Sequence, residues 1–174
     1  MPSDWQDGIL DLLLKGSRAM ATNFPKDYPT TRTWRCDTCG GPVSIEDGYV
    51  VWNSRGKDRD FRIIHQSRCD DESLDSSMAL SDLVGVEGIA SLLSLLTAGP
   101  LMSAAEGASL DKDICLSDFA DLFRRLHVPN YERARQYFKD VRVQENVIGM
   151  NERAMYMPAK LAEIAAIGET PEDD

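Results

Sequence analysis

Cys36-Asp37-Thr38-Cys39-Gly40-Gly41 and, after a gap of 25 residues from Cys39, His65-Gln66-Ser67-Arg68-Cys69 are the stretches on which the reading of this 174-residue chain turns. Together they hold three of its four cysteines and one of its two histidines. Thiolate and imidazole are the soft donors that a tetrahedral Zn2+ selects, and spacings of two to four residues let one turn of chain deliver two of them. Gly40 and Gly41 follow where backbone N–H groups must curl round the sulfurs, a turn that glycine makes without a Cβ clash. Cys36, Cys39, His65 and Cys69 are therefore the candidate metal ligands. The competing readings are buried thiols beside a core histidine, a disulfide, and a redox Cys-x-x-Cys. The chain opens without an apolar signal segment, which is expected of a reducing, cytoplasmic compartment and disfavours the disulfide. Gly-Gly-Pro after the first pair disfavours the redox motif, which normally precedes a helix.

Between the ligand pairs lie two β-rich runs, Tyr49-Val-Val-Trp52 and Phe61-Arg-Ile-Ile-His65, joined by the turn-forming segment Asn53 to Asp60. This pattern predicts a hairpin that carries the chain away from the first pair and returns it to the second. In outline, residues 31–73 resemble the treble-clef and zinc-ribbon modules. The resemblance implies that Cys36, Cys39, His65 and Cys69 ligate one zinc and assigns no other residue a function. Four protein ligands imply a structural metal, because a catalytic zinc keeps a position for water.

Three regions are expected: an N-terminal amphipathic helix and linker (1–30), the zinc module (31–73) and a helical domain (74–174). Ser3 caps the first helix, with Gln6 completing a capping box and Trp5, Ile9, Leu12, Leu13 and Met20 on one stripe. Pro25 and Pro29 mark the linker. From Leu83 to Met102 the chain is apolar except for Glu87. That run is too short between charges to span a membrane and reads as a central core helix ending at Gly99-Pro100, followed by a polar loop from Ser103 to Lys112. Cys115 reads as a buried small hydrophobe.

Ser117 is expected to cap a helix with Phe119, Leu122, Phe123 and Leu126 on its apolar face. Val128-Pro129-Asn130 makes a turn, and a second helix runs from Tyr131 to Arg142 with Tyr131, Ala134, Phe138 and Val141 inward. Residues 146–149 and 153–157 are expected to pair as a small hairpin, before a last helix from Ala159 to Ile167 and a frayed Asp173-Asp174 tail. This element order resembles a winged-helix domain. That resemblance implies Arg133, Arg135, Gln136 and Lys139 as nucleic-acid contacts. His127 is accounted for by its place at a helix C-terminus, where the dipole favours it. The expected fold class is α+β: a small zinc-bound β-hairpin module joined to a mainly helical domain.

The formal charge of −10 gathers in 73–115 and 144–174, whereas 116–143 holds six basic residues against four acidic ones. So acidic a chain is repelled by phosphate at long range, which argues against avid non-specific nucleic-acid binding. The hairpin tip, with Arg55, Lys57, Arg59 and Arg62, is a local basic patch, but Asp58 and Asp60 among them make it read as an ordinary solvated turn. No Gly-rich phosphate loop, His-Glu-x-x-His or recognisable nucleophile–base pair marks an enzyme or a small-molecule substrate. The leading expectation is a non-enzymatic regulatory or adaptor protein that binds another protein. The alternative is a DNA-binding regulator using segment 116–143.

Overall fold

In β1 (Trp34–Arg35), β2 (Pro42–Val43) and β3 (Gly48–Asn53) the chain builds the frame of the two ligand pairs, which β4 (Arg59–His65) and β5 (Ser76–Ala79) complete. The computed structural model describes residues 33–97, 99, 101 and 113–171. The expected N-terminal helix and linker, the loop 103–112 and the tail at Asp173-Asp174 lie outside the described residues.

β1 and β2 form a two-stranded antiparallel ribbon, with Trp34 opposite Val43 and Arg35 opposite Pro42. β3 is the centre of an antiparallel sheet in the order β4-β3-β5. The expected hairpin is present, in the register Tyr49 opposite Ile64 and Val50 opposite Ile63. Side chains alternate on a strand, so Val50 and Trp52 turn into the core while Tyr49 and Val51 stay half-buried on the other face. Between Val51 and Asn53 the register slips by one residue. Asp60 adopts φ 58° there. This is a β-bulge, which increases the local twist. The hairpin tip meets the segment before the helix that starts at Leu116, where Asp58 N–H donates to Asp113 O (2.9 Å) and Cys115 N–H to Asp58 O (2.7 Å).

After β5 comes a 3-10 turn (Leu80–Leu83) and α1 (Gly85–Leu96). The apolar run does form a helix, but it ends at Leu96 and buries only Gly88 and Leu92, leaving Val86 and Leu93 exposed. It is thus a covering helix, because Leu83 spends its burial in the turn before it. Among the described residues no helix is long and apolar enough to cross a membrane.

The helix α2 (Leu116–His127) packs Phe119, Leu122 and Leu126 against the sheet, with Phe119 edge-on to Phe61 at 6.2 Å and Phe61 stacked on Trp52 at 5.8 Å. Its N-cap is Cys115, without a side-chain cap; Ser117 lies inside the first turn. Cys115 is half-buried, its Sγ 3.2 Å from Ser117 Oγ, so it is not the buried hydrophobe expected.

The single helix expected over 131–142 is instead three pieces: α3 (Tyr131–Ala134), a 3-10 turn (Arg135–Tyr137) and α4 (Val141–Val147). Asp140 stops and restarts the helix by capping Arg142 N–H, which leaves Val141 65% exposed where it was expected inward. Residues 146–157 form no hairpin. The chain there is the end of α4 and then α5 (Glu152–Met155), with Asn151 capping Ala154 N–H. The wing of a winged helix is therefore replaced by helix. The last helix, α6 (Pro158–Glu169), is present. It closes a second core of Tyr131, Ala134, Val143, Leu161, Ile164 and Ala165, next to the larger core under the sheet. The fold class is α+β, as expected.

Candidate metal centre

The knuckle between β1 and β2 holds the first pair. Cys36 N–H donates to Gly41 O (2.8 Å) and Gly40 N–H to Cys36 O (2.9 Å), closing a tight turn that Gly40 completes at φ +71°. Cys39 N–H points at Cys36 Sγ, 3.5 Å away. β4 delivers His65 at its last residue, and a short loop with Ser67 at φ 61° swings Cys69 back beside it. Ser67 N–H is held by Asp70 Oδ1 (3.0 Å) and Gln66 N–H by Asp47 O (2.8 Å).

Cys36, Cys39, His65 and Cys69 each present one donor atom, and those atoms lie within 4.8 Å of one another. His65 Nδ1 is 3.5 Å from Cys39 Sγ and 3.6 Å from Cys69 Sγ. Its other nitrogen, Nε2, is 2.8 Å from Pro42 O. A carbonyl oxygen can only accept, so Nε2 carries the proton and Nδ1 presents its lone pair to the thiols. That orientation is the one a ligating imidazole needs, its far nitrogen tied to a backbone carbonyl. Burial pushes the Cys36 thiol up, but the N–H groups of Cys39, His65 and Thr38 outweigh it and bring it down to about 6. Burial, together with hydrogen bonding to Cys39 and Cys36, pushes Cys69 up to about 11. The cluster can hold a metal ion with a complete four-donor set. Cys36, His65 and Cys69 are buried, and only Cys39 reaches the surface.

Periodicity and spacing miss what fastens this knuckle. Asp37, between the two cysteines, donates its N–H to Ile63 O (2.8 Å) and accepts Ile63 N–H at Oδ2 (2.7 Å), gripping β4. The same Oδ2 receives Arg125 from α2 at 2.5 Å. Arg125 is 2% exposed and also binds Glu132 of α3 through Nε (2.8 Å) and Arg35 O through Nη2 (3.2 Å). Burial disfavours its charge, but Glu132 and Asp37 more than restore it, and its pKa moves up. Trp34 Nε1 donates to Arg125 O (3.2 Å), and Arg35 N–H to Glu132 Oε1 (3.0 Å). The one sequence signal is faint: Arg125 sits on the flank of the stripe formed by Phe119, Leu122 and Leu126.

The residues expected to meet nucleic acid lie in α3, in the 3-10 turn and just after it. Arg133 binds Glu169 through Nε (2.6 Å) and Nη2. Arg135 faces Asp37 (3.4 Å), Glu132 (3.8 Å) and Asp121 (3.9 Å). Gln136 accepts from Arg35 and donates to Glu132 O (3.4 Å). Lys139 is exposed and makes no ion pair among the described residues. At the hairpin tip Arg55, Lys57, Arg59 and Arg62 each pair with an aspartate, which fits the reading of a solvated turn. His127 is buried, its Nε2 3.0 Å from Leu83 O and its ring against Phe123.

No protein-family model, curated protein or solved structure matches this chain.

Proposed function

We propose that this chain is a non-enzymatic zinc protein of regulatory or adaptor type, in which the metal is structural and the work is done by binding another protein. The observation that carries the metal assignment is His65: Nε2 tied to Pro42 O, and Nδ1 at 3.5 and 3.6 Å from two thiols. With Zn–S of about 2.3 Å and Zn–N of about 2.0–2.1 Å, a tetrahedral site needs N···S edges of roughly 3.6 Å. Three thiolates and one imidazole favour zinc over the hard cations, which take oxygen donors. Zinc bound there neutralises charge among three thiolates and closes the knuckle onto β4. Asp37 then holds the knuckle on β4, and Arg125 holds Asp37 on the helices. A full set of protein ligands supports a structural role.

The protein-binding half of the reading rests on charge. At −10 the chain repels phosphate, and the cations of Arg133 and Arg135 are already spent on carboxylates, so the DNA-binding alternative has less in its favour. Purification without chelator should give one zinc per chain, and Cys36→Ser should lose it. Affinity capture from the native host, with one arm treated with nuclease, should recover a protein partner in both arms. Chelation should strip that partner. Metal-free protein, or capture that disappears with nuclease, would overturn the respective half of the proposal.

A further inference from the structure

The sheet has a second face. On β3, Val50 and Trp52 turn to the α2 core, and Tyr49 and Val51 line an open groove of about 430 Å³ on the opposite side. Leu74 and the segment leading into β5 form its wall, and Ser77 lies on its floor. The wall is acidic. Asp71 is paired with Arg62 (2.9 Å) and Asp75 with Arg55 (3.0 Å), but Asp70 and Glu72 make no ion pair among the described residues. Among the described residues Asp70 accepts only the Ser67 N–H, at Oδ1.

We propose that this groove docks an extended, basic polypeptide segment in which an apolar side chain is flanked by Arg or Lys. The proposal rests on the protein-binding reading above and names the chemistry of the partner. An outer sheet face turned to water is ordinarily polar, and this one carries Tyr49 and Val51 half-buried under an acidic rim. In an extended peptide, successive side chains point to opposite sides, so an apolar residue can settle on Tyr49 and Val51 while its neighbours reach the carboxylates. The chain's charge of −10 steers a cationic segment in and turns an anionic one away. A bare metal ion does not fit, because among the described residues only the Cys36–Cys39–His65–Cys69 set brings three or more donors within ligating distance. The groove is small, so the affinity belongs to the weak, transient class, on the order of 10–100 μM.

The test uses the full zinc-loaded chain and three short labelled peptides: one alternating Arg with Leu and Tyr, one with Glu in place of Arg, and one with Gly in place of Leu and Tyr. Only the first should bind, with amide shifts centred on β3 and β5. Glu72→Lys should weaken it by about 5-fold and Ser77→Arg by about 10-fold, both with zinc content unchanged. Equal binding of the glycine peptide, unchanged affinity in both variants, or shifts confined to other elements would overturn the groove. Host capture with the Glu72→Lys/Ser77→Arg double variant separates the two readings: a protein partner still retained sinks the groove and leaves protein binding standing.

Discussion

Asp37 and Arg125 show how much one pair of side chains can carry when both leave water. Arg125 is 2% exposed, and its guanidinium is answered by Asp37, Glu132 and a backbone carbonyl. Removing Arg125 leaves two largely buried carboxylates, Asp37 and Glu132, with only Arg135 at 3.4 and 3.8 Å to answer both, which is costlier than never having made the pair. Arg125→Met should therefore lower stability by about 3–5 kcal/mol in urea unfolding. The triple change Arg125→Met, Asp37→Asn, Glu132→Gln should recover a good part of that loss, since it removes the charges together. A triple variant as unstable as the single one would show that Arg125 acts through packing. Only its place on the flank of the α2 stripe announces this residue in the sequence. The metal ligands were legible because their chemistry forces them into tight spacings, whereas Arg125 meets Asp37 across 88 residues.

The elements divide the same way. Two β-rich runs at 49–52 and 61–65 around a turn-forming segment gave the hairpin, and the apolar stripe of α2 gave the helix. The breaks between α3 and α4 were hidden. Residues 131–142 keep helical spacing, and the interruption comes from Asp140 capping Arg142 N–H, a local competition between side chain and backbone that periodicity cannot register. Likewise Asn146 to Met157 alternates enough to pass for strands, but Asn151 caps a helix instead. In α1 the informative residue is Gly88, where a Cβ would sit 2.1 Å from the Leu83 carbonyl carbon. Gly88→Ala should lower stability by about 2 kcal/mol or more, the clash outweighing a helix-propensity gain of about 1 kcal/mol. A thermal melt that rises instead would show that the turn at Leu83 relaxes freely.

For the molecule as a whole, acid gives a test with a defined sign. Asp118 sits below its ordinary 3.8 chiefly because the Asp60 N–H donates to it, fixing the bulged hairpin to α2. A carboxyl whose folded pKa is depressed contributes stability above its unfolded value, and that contribution is lost as pH falls through the folded one. Asp118→Ala should thus lower Tm near neutrality, and the gap to the wild-type chain should close below about pH 4. A gap that stays constant to about pH 3 would assign the loss to packing. The seam running from the knuckle through Asp37, Arg125 and Glu132 has a last implication, for portability. A fragment cut after Cys69 would take all four donors with it but abandon the partners of Trp34 Nε1, the Arg35 amide and Asp37. Grafted elsewhere, such a cassette would bring three polar groups in search of α2 and α3, and a host scaffold would have to supply them.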